Sequence, residues 1–201
     1  AVGGRFAAVL FDLSYTPSAR AMLDRIWDES GPLDGLVNNA GIIRRADAVE
    51  LAEADWDDVM DINLKAVFLL SQRFARRVLA EPGRRGKIVN IASVLSFQGG
   101  IRVASYTASK HGVLGVTRLL ACEWAQKGIN VNAIAPGYIE TNNTEALRAD
   151  PDRSASILAR IPAGRWGRPE DIGDAAVFLL APASDYMHGA SVAVDGGWLA
   201  R

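Results

Sequence analysis

The chain has 201 residues, of which 49% are hydrophobic and 22% charged, and 22 basic against 23 acidic side chains leave a net charge of −1. This composition excludes an intrinsically disordered chain, which needs low hydrophobicity and high net charge. We expect neither nucleic acid nor a membrane as a partner, because both need clustered positive charge or a long apolar segment. The single cysteine, Cys122, excludes an internal disulfide and is expected to be a buried, inert thiol of a cytoplasmic protein.

Short apolar runs alternate with longer amphipathic runs along the chain. This alternation predicts βαβ units, and therefore an α/β fold of Rossmann type: a doubly wound, mostly parallel sheet with helices on both faces. We expect residues 1–201 to form a single domain. The predicted strands cover 6–11, 36–38, 87–91, 131–135 and 191–194, and the predicted helices about 17–30, 54–79, 105–126, 153–160 and 170–180.

Residues 137–168 are the least regular part of the pattern, since they are polar and lie between a predicted strand and a predicted helix. Such an excursion is often a lid or a substrate loop. An ordinary surface loop would have the same composition, so both interpretations stay open at this point.

Tyr106 and Lys110 are four residues apart on one predicted helix, so they share a face. A phenol with its usual pKa near 10 is a poor base at neutral pH, but a nearby ammonium favours the phenolate. The pair can therefore act as acid or base on an alcohol or a carbonyl. By itself, the same spacing also fits an exposed helix surface.

Further polar residues lie where ligands bind in parallel sheets. Ser93 follows the strand 87–91, and segments 38–41 and 136–141 also follow predicted strands, so all three are expected at the carboxyl edge of the sheet, where ligands bind. Asn63 lies on the apolar stripe of its helix, and a buried amide needs a hydrogen-bond partner. Asn63 either bonds to neighbouring backbone or holds a water or a lysine.

In this order, the residues resemble the short-chain dehydrogenase/reductase family over nearly the whole chain. The matching motifs are Asp12-Leu13, Asn38-Asn39-Ala40-Gly41, Asn63, Ser93, Tyr106-x-x-x-Lys110, Pro136-Gly137-x-x-x-Thr141 and Asp195-Gly196-Gly197. The resemblance implies a nicotinamide enzyme without a metal, using NAD, with NADP left open. It implies catalytic roles for Asn63, Ser93, Tyr106 and Lys110, and a cofactor site of Asp12, Leu13, Asn39, Ala40, Gly41, Tyr106, Lys110, Pro136, Gly137, Ile139 and Thr141.

A narrower resemblance, carried by segments 38–45, 96–102, 135–144 and 160–167, is to the sugar-acid dehydrogenases of this family that act on 2-dehydro-3-deoxy-D-gluconate during pectin breakdown. It implies hydride transfer between NAD(H) and a hydroxyl or keto group of a deoxy sugar acid. A gluconate 5-dehydrogenase and a 3-oxoacyl-carrier-protein reductase are the alternatives. A carboxylate favours an arginine partner, with Arg102 and Arg148 expected before Arg44 and Arg45. The expected substrate residues are Ser93, Gln98, Arg102, Asn143 and Arg148.

The family's glycine-rich TGxxxGxG turn and its first two strands do not occur in these 201 residues. We expect either the retained part of a longer enzyme or a truncated, non-catalytic subunit that binds dinucleotide poorly. Without those strands, the strand 6–11 would have no neighbour and the strand 36–38 would be an exposed edge. The resemblance also implies a homotetramer paired through helix 105–126, with Gly112, Gly115, Leu119 and Trp124 at the contact.

Overall fold

The computed structural model describes residues 7–201. Four parallel strands form one sheet in the order β1-β2-β3-β4. They are β1 (Gly35–Asn38), β2 (Gly86–Ile91), β3 (Ile129–Pro136) and β4 (Ser191–Val194). The α-helices are α1 (Thr16–Ser30), α2 (Glu53–Met60), α3 (Ala66–Leu79), α4 (Ala104–Trp124), α5 (Glu145–Ala149), α6 (Pro151–Leu158) and α7 (Pro169–Leu180), with a π-helical turn, Asp61–Lys65, joining α2 to α3.

Helices cover both faces of the sheet, as the alternating pattern predicts. Ile88 and Val131 are buried on the face that packs against α1, α3 and α4. Val89 and Ile134 are buried on the opposite face, where Leu179 of α7 contacts them. The α/β fold with a doubly wound parallel sheet is therefore confirmed. Within residues 7–201, no helix combines the length and the apolar character needed to cross a bilayer.

The predicted strand 6–11 is wrong over residues 7–11, which form no regular structure, and residue 6 lies outside the described part of the chain. A strand needs hydrogen bonds to a neighbour, and no described strand pairs with this segment; Leu10 is accordingly fully exposed. In the described sheet, β1 pairs with β2 alone and Val37 is 39% exposed, so the expected exposed edge is present.

Strand β3 begins two residues earlier than the apolar pattern predicts, because its two asparagines find partners inside the protein. Asn130 Nδ2 donates to the carbonyl oxygens of Asp185 (2.9 Å) and Met187 (3.0 Å). Asn132 Nδ2 donates to Met187 O (2.8 Å), and its Oδ1 accepts from the Ala190 amide (3.0 Å). Both side chains are buried, so polarity alone gave a strand that was too short.

Two predictions about helix α4 are wrong: that Cys122 is buried, and that Gly112 and Trp124 lie at a subunit contact. Cys122 is exposed rather than buried, since it lies on the outward side of α4, three residues after the half-exposed Leu119. Trp124 packs in the main core, and a methyl group at Gly112 would come within 2.7 Å of Leu64 Cδ2. These two residues therefore serve packing within the chain. Gly115, by contrast, has open space beside it.

A buried polar network joins the sheet to both flanking helices behind its carboxyl edge. Asn90 of β2 accepts from Asn38 Nδ2 of β1 (2.8 Å) and donates to Thr117 Oγ1 of α4 (2.9 Å). Asn38 Nδ2 also donates to Ser71 Oγ of α3 (3.0 Å). All four side chains are buried. The network fixes β1 and β2 at the point where Asn39 leaves the sheet.

Replacing Asn90 with Leu is expected to lower the free energy of unfolding by about 1–3 kcal/mol, because Asn38 and Thr117 would each lose a partner in a buried site. Urea denaturation measures the change. Gln126→Leu, which removes an exposed amide, is the matched control. Equal stability of the two variants would show that the network contributes little.

Candidate active site

Three strands end at one cavity of about 540 Å³. Asn39 and Gly41 follow β1, Ser93 follows β2, and Gly137 follows β3, so the carboxyl edge of the sheet forms its floor. Polar and apolar groups from five segments line it: Val37, Asn39, Gly41, Ile91, Ala92, Ser93, Tyr106, Lys110, Pro136, Gly137, Ile139, Thr141, Asn143, Thr144, Pro169, Ile172, Gly173 and Ala176. The predicted convergence of strand-end segments on one edge is present.

Lys110 is a buried cation at the base of this cavity, with 4% of its surface exposed. Its Nζ donates to Ile91 O at 2.6 Å and lies 5.5 Å from the centre of the Tyr106 ring. Burial lowers the pKa of the Lys110 ammonium to about 8. An ammonium has three donors, so two remain for a ligand in the cavity.

Tyr106 is half-buried one helical turn before Lys110 on α4. Burial raises the pKa of its phenol, while the Ser93 hydroxyl and the charge of Arg45 lower that pKa to a smaller extent. The phenol therefore holds its proton at neutral pH. It can donate that proton to an oxygen placed beside it.

Ser93 leaves β2 in an extended conformation and caps a short 3₁₀ turn, Val94–Ser96. Its Oγ accepts from the Leu95 amide at 3.1 Å, which fixes the rotamer. The hydroxyl proton of Ser93 thus stays available to a neighbouring oxygen. Ser96, at the end of the same turn, donates to Lys110 O at 2.6 Å and holds the turn against α4.

Asn63 lies within the π-helical turn Asp61–Lys65 and is fully buried. Its Oδ1 accepts from the Ile42 amide (2.8 Å), and its Nδ2 donates to Ile42 O (2.9 Å) and Ser109 Oγ (3.3 Å). These contacts support the structural interpretation, in which Asn63 holds the segment after Gly41. π turns inside α-helices are frequent at functional sites, and a periodic pattern does not reveal them.

A second cavity, of about 620 Å³, adjoins the first, and Ser93, Tyr106, Gly137, Asn143 and Thr144 line both. Its remaining lining comes from the loop after β1, the 94–103 loop, the segment after β3 and the segment after β4: Ile43, Arg45, Val94, Leu95, Gln98, Gly99, Gly100, Ile101, Val103, Tyr138, Leu147, Arg153, Arg160 and Trp198. A ligand in the second cavity would thus lie beside Tyr106 and Ser93.

Gln98 and Asn143 line the second cavity, where the sequence places substrate residues, but Arg102 and Arg148 line neither cavity. Arg102 has a left-handed backbone (φ 62°) and an exposed side chain that pairs with Asp47. Arg148 is also exposed, and its Nη2 donates to Thr141 O at 3.3 Å. The positions of Arg102 and Arg148 in the sequence did not indicate the direction in which their side chains point.

Arg153 and Arg160 are the lining residues that sequence reasoning missed. They are seven residues apart, Arg153 within α6 and Arg160 in the turn that follows its end at Leu158. That spacing, in a segment predicted to be a substrate loop, was an available signal.

The remaining predicted cofactor residues surround the edge strand β1. Leu13, Asn39 and Ala40 line an apolar hollow of about 200 Å³. Asp12 is exposed, and hydrogen bonds from the Ser14 hydroxyl and amide lower the pKa of its carboxyl. Together with Lys110 and its two unused donors, the groups around β1 and the first cavity fit a nicotinamide dinucleotide.

The chain is similar to known oxidoreductases in sequence and in structure. A family model described as enoyl-(acyl carrier protein) reductase matches residues 1–199. The 2-dehydro-3-deoxy-D-gluconate 5-dehydrogenase of Escherichia coli K12 is 62% identical over 201 residues, which is all of this chain and 79% of that protein. A crystal structure from Agrobacterium tumefaciens, named for 2-deoxy-D-gluconate 3-dehydrogenase and holding NADP, is 66% identical with a TM-score of 0.93 over 99% of this chain and 78% of its own.

A third relative, the gluconate 5-dehydrogenase of Burkholderia cenocepacia in complex with NADP and tartrate, is 40% identical with a TM-score of 0.91, covering 95% of this chain and 74% of its own. Fold and site together define an NAD(P)-dependent oxidoreductase that acts on CH–OH groups of a small molecule. The chain belongs to the short-chain dehydrogenase/reductase family.

Proposed function

We propose that this oxidoreductase interconverts a hydroxyl and a keto group on a deoxy sugar acid of the 2-dehydro-3-deoxy-D-gluconate or 2-deoxy-D-gluconate type. The observation that carries the proposal is the second cavity, which meets Tyr106 and Ser93 and is lined by three arginines and no acidic side chain. The names and high identities of the Escherichia coli and Agrobacterium tumefaciens relatives support the same substrate class.

The dinucleotide would lie along Asn39, Gly41, Pro136, Gly137, Ile139 and Thr141, with Lys110 beneath it. When bound, its nicotinamide supplies or accepts the hydride. The two free donors of Lys110 suit vicinal hydroxyls of a ribose. A methyl group at Gly41 would come within 3.3 Å of Asn63 Oδ1, so glycine there avoids a tight contact and leaves this space open. In this proposal, Asn63 holds the same segment and a water that connects Lys110 to solvent.

Tyr106 would move the proton. In the reducing direction its hydroxyl donates to the substrate ketone oxygen, and in the oxidising direction the phenolate takes the proton of the substrate alcohol. Ser93 donates its free hydroxyl proton to the same oxygen and stabilises the charge that develops there. The Lys110 ammonium favours the phenolate through its positive charge.

The two directions should respond differently to pH. Oxidation needs the phenolate, and burial raises the pKa of Tyr106, so kcat/KM for oxidation should rise from pH 6 to about 8. The rise should flatten above that, where Lys110 loses its charge because its pKa is about 8. Reduction needs the phenol, which burial keeps protonated, so its kcat/KM should stay level up to about pH 8 and fall above it, where Lys110 loses its charge. Initial rates in both directions measure this, and pH-independent rates would contradict proton transfer by Tyr106.

Initial rates with NAD and with NADP test the substrate class and the coenzyme. We expect 2-deoxy-D-gluconate to be oxidised with the highest kcat/KM, with NAD as the expected coenzyme. D-gluconate as the preferred substrate would indicate a gluconate 5-dehydrogenase instead. Preference for the reduction of an acetoacetyl thioester would indicate a 3-oxoacyl-carrier-protein reductase. Failure to bind either dinucleotide would favour a non-catalytic subunit.

The proposed function also includes a substrate region and an oligomeric state. We expect residues 137–168 to act as the substrate region, since α5 and α6 lie there and Asn143, Arg153 and Arg160 line the second cavity. We expect a cytoplasmic homotetramer acting in pectin breakdown, with the outward side of α4 at the contact, where Gly115 has open space and Leu119 is half-exposed. Light scattering should give four times the mass of the chain.

A further inference from the structure

The second cavity has an excess of positive charge that the protein itself does not neutralise. Among residues 7–201, Arg45, Arg153 and Arg160 have no acidic partner within salt-bridge distance, and no acidic side chain lines the cavity. Neighbouring Arg44, by contrast, pairs with Asp55 and Asp58. In a chain of net charge −1, this concentration of unpaired arginines indicates an anionic ligand.

Arg160 is exposed like the other two, but it differs from them because its guanidinium is stacked on an aromatic ring. It stacks on the ring of Trp198, with 3.9 Å between Cζ and the ring centre, and Trp198 is only 3% exposed. Trp198 in turn packs with Ile157 of α6 and with Ile161. Stacking immobilises the plane of a guanidinium and leaves its in-plane N–H groups for a bidentate carboxylate.

The glycines near the end of the chain explain why this stack forms. Gly196 and Gly197 have positive φ angles of 64° and 88°. Methyl groups there would meet Ile161 Cγ2 at 2.8 Å and Pro162 Cγ at 3.0 Å. Two glycines therefore allow the segment after α6 to lie against the chain just before Trp198, and this contact places Arg160 over the indole.

Arg45 occupies a different part of the cavity. Its Nη2 donates to Asn143 O at 3.1 Å, and its charge acts on Tyr106. It is therefore associated with the reacting centre. In a 2-dehydro-3-deoxy-gluconate reacting at carbon 5, the carboxylate is carbon 1, four carbon–carbon bonds away. A cation that lies farther from Tyr106 than Arg45 is therefore better placed to bind the substrate carboxylate.

We propose that Arg160, stacked on Trp198, binds the substrate carboxylate through two parallel hydrogen bonds, with Arg153 as a second cation, and so selects sugar acids over uncharged polyols. The identity of the substrate rests on the proposed function, whereas the anion site rests on the geometry. This assignment replaces Arg102 and Arg148, which line neither cavity.

Steady-state kinetics of Arg160→Gln test the assignment. We expect KM for 2-dehydro-3-deoxy-D-gluconate, which reacts at carbon 5, to rise roughly ten- to hundred-fold with kcat nearly unchanged, because a contact made equally in the ground and transition states is lost. Arg160→Lys should be intermediate, since lysine keeps the charge but not the fork. KM for the dinucleotide and the activity on D-glucitol should not change. Arg76→Gln, at an exposed arginine of α3, is the matched control.

Tryptophan fluorescence gives a readout that does not need activity. Without dinucleotide, D-gluconate should change the emission of the wild type in a saturable way, whereas D-glucitol should not, and Arg160→Gln should remove the response. An unchanged KM and fluorescence response in Arg160→Gln, or a KM effect confined to Arg102→Gln or Arg148→Gln, overturns the proposal. If no sugar acid is oxidised but the Arg160-dependent fluorescence response persists, the proposed function fails while the anion site stands.

Discussion

Tyr106→Phe should lower kcat about 10²- to 10⁴-fold in both directions, because it removes the one hydroxyl on α4 that both cavities share. The ring is half-buried and its contacts with neighbouring side chains would remain, so the fold and the affinity for dinucleotide should be retained. Stopped-flow or steady-state rates measure kcat, and a separate dinucleotide titration measures the affinity for dinucleotide.

Tyr186→Phe is the matched control for this change, since Tyr186 is fully exposed and should lose no activity. The residual rate of Tyr106→Phe should also lose the rise with pH that the wild type shows below about pH 8. A variant that keeps both its rate and its pH dependence would assign the proton transfer to another group. A variant that no longer binds dinucleotide would show that Tyr106 acts in binding instead.

The sheet was largely predictable from sequence, because strands β1, β2 and β4 are short, mostly apolar runs that each begin within two residues of a glycine. The failures have physical causes. Residues 7–11 have the composition of a strand, but pairing depends on a neighbour, which composition does not report. Asn130 was left outside the predicted strand 131–135 because it looks like a loop residue, and only the 185–190 loop supplies its hydrogen bonds.

The residues of the site were also predictable from sequence only in part. Lys110, Tyr106 and Ser93 were predictable because their spacing on one helix and after one strand fixes their relative positions. Arg45 was named from sequence, whereas Arg153 and Arg160 were only partly predictable: their spacing was visible, but the direction of their side chains depends on how α6 packs against Trp198 and the glycines at 196–197. The π turn at Asn63 was also hidden, since one extra residue in a helix does not change its apolar stripe visibly.

Lys110→Met should make the protein less active and, at neutral pH, more stable. Activity should fall roughly 10²-fold or more, because a fixed charge next to Tyr106 and the dinucleotide site is lost. Stability should change because burial lowers the pKa of this lysine from 10.5 to about 8. The folded protein therefore disfavours the ammonium, and between pH 8 and 10.5 the unfolded chain binds more protons.

It follows that the free energy of unfolding of the wild type rises with pH across this window, by about 3 kcal/mol. Below pH 8 the cost of the buried charge is fully present, and Lys110→Met removes it along with the hydrogen bond to Ile91 O. The variant's advantage should therefore shrink between pH 8 and 10. Urea denaturation at pH 8 and at pH 10 measures this advantage. It should be carried out on the wild type, on Lys110→Met and on the exposed control Lys127→Met. A difference independent of pH would mean that the ammonium is as well stabilised inside the cavity as in water, and the site would then not need a bound dinucleotide to complete its hydrogen bonds.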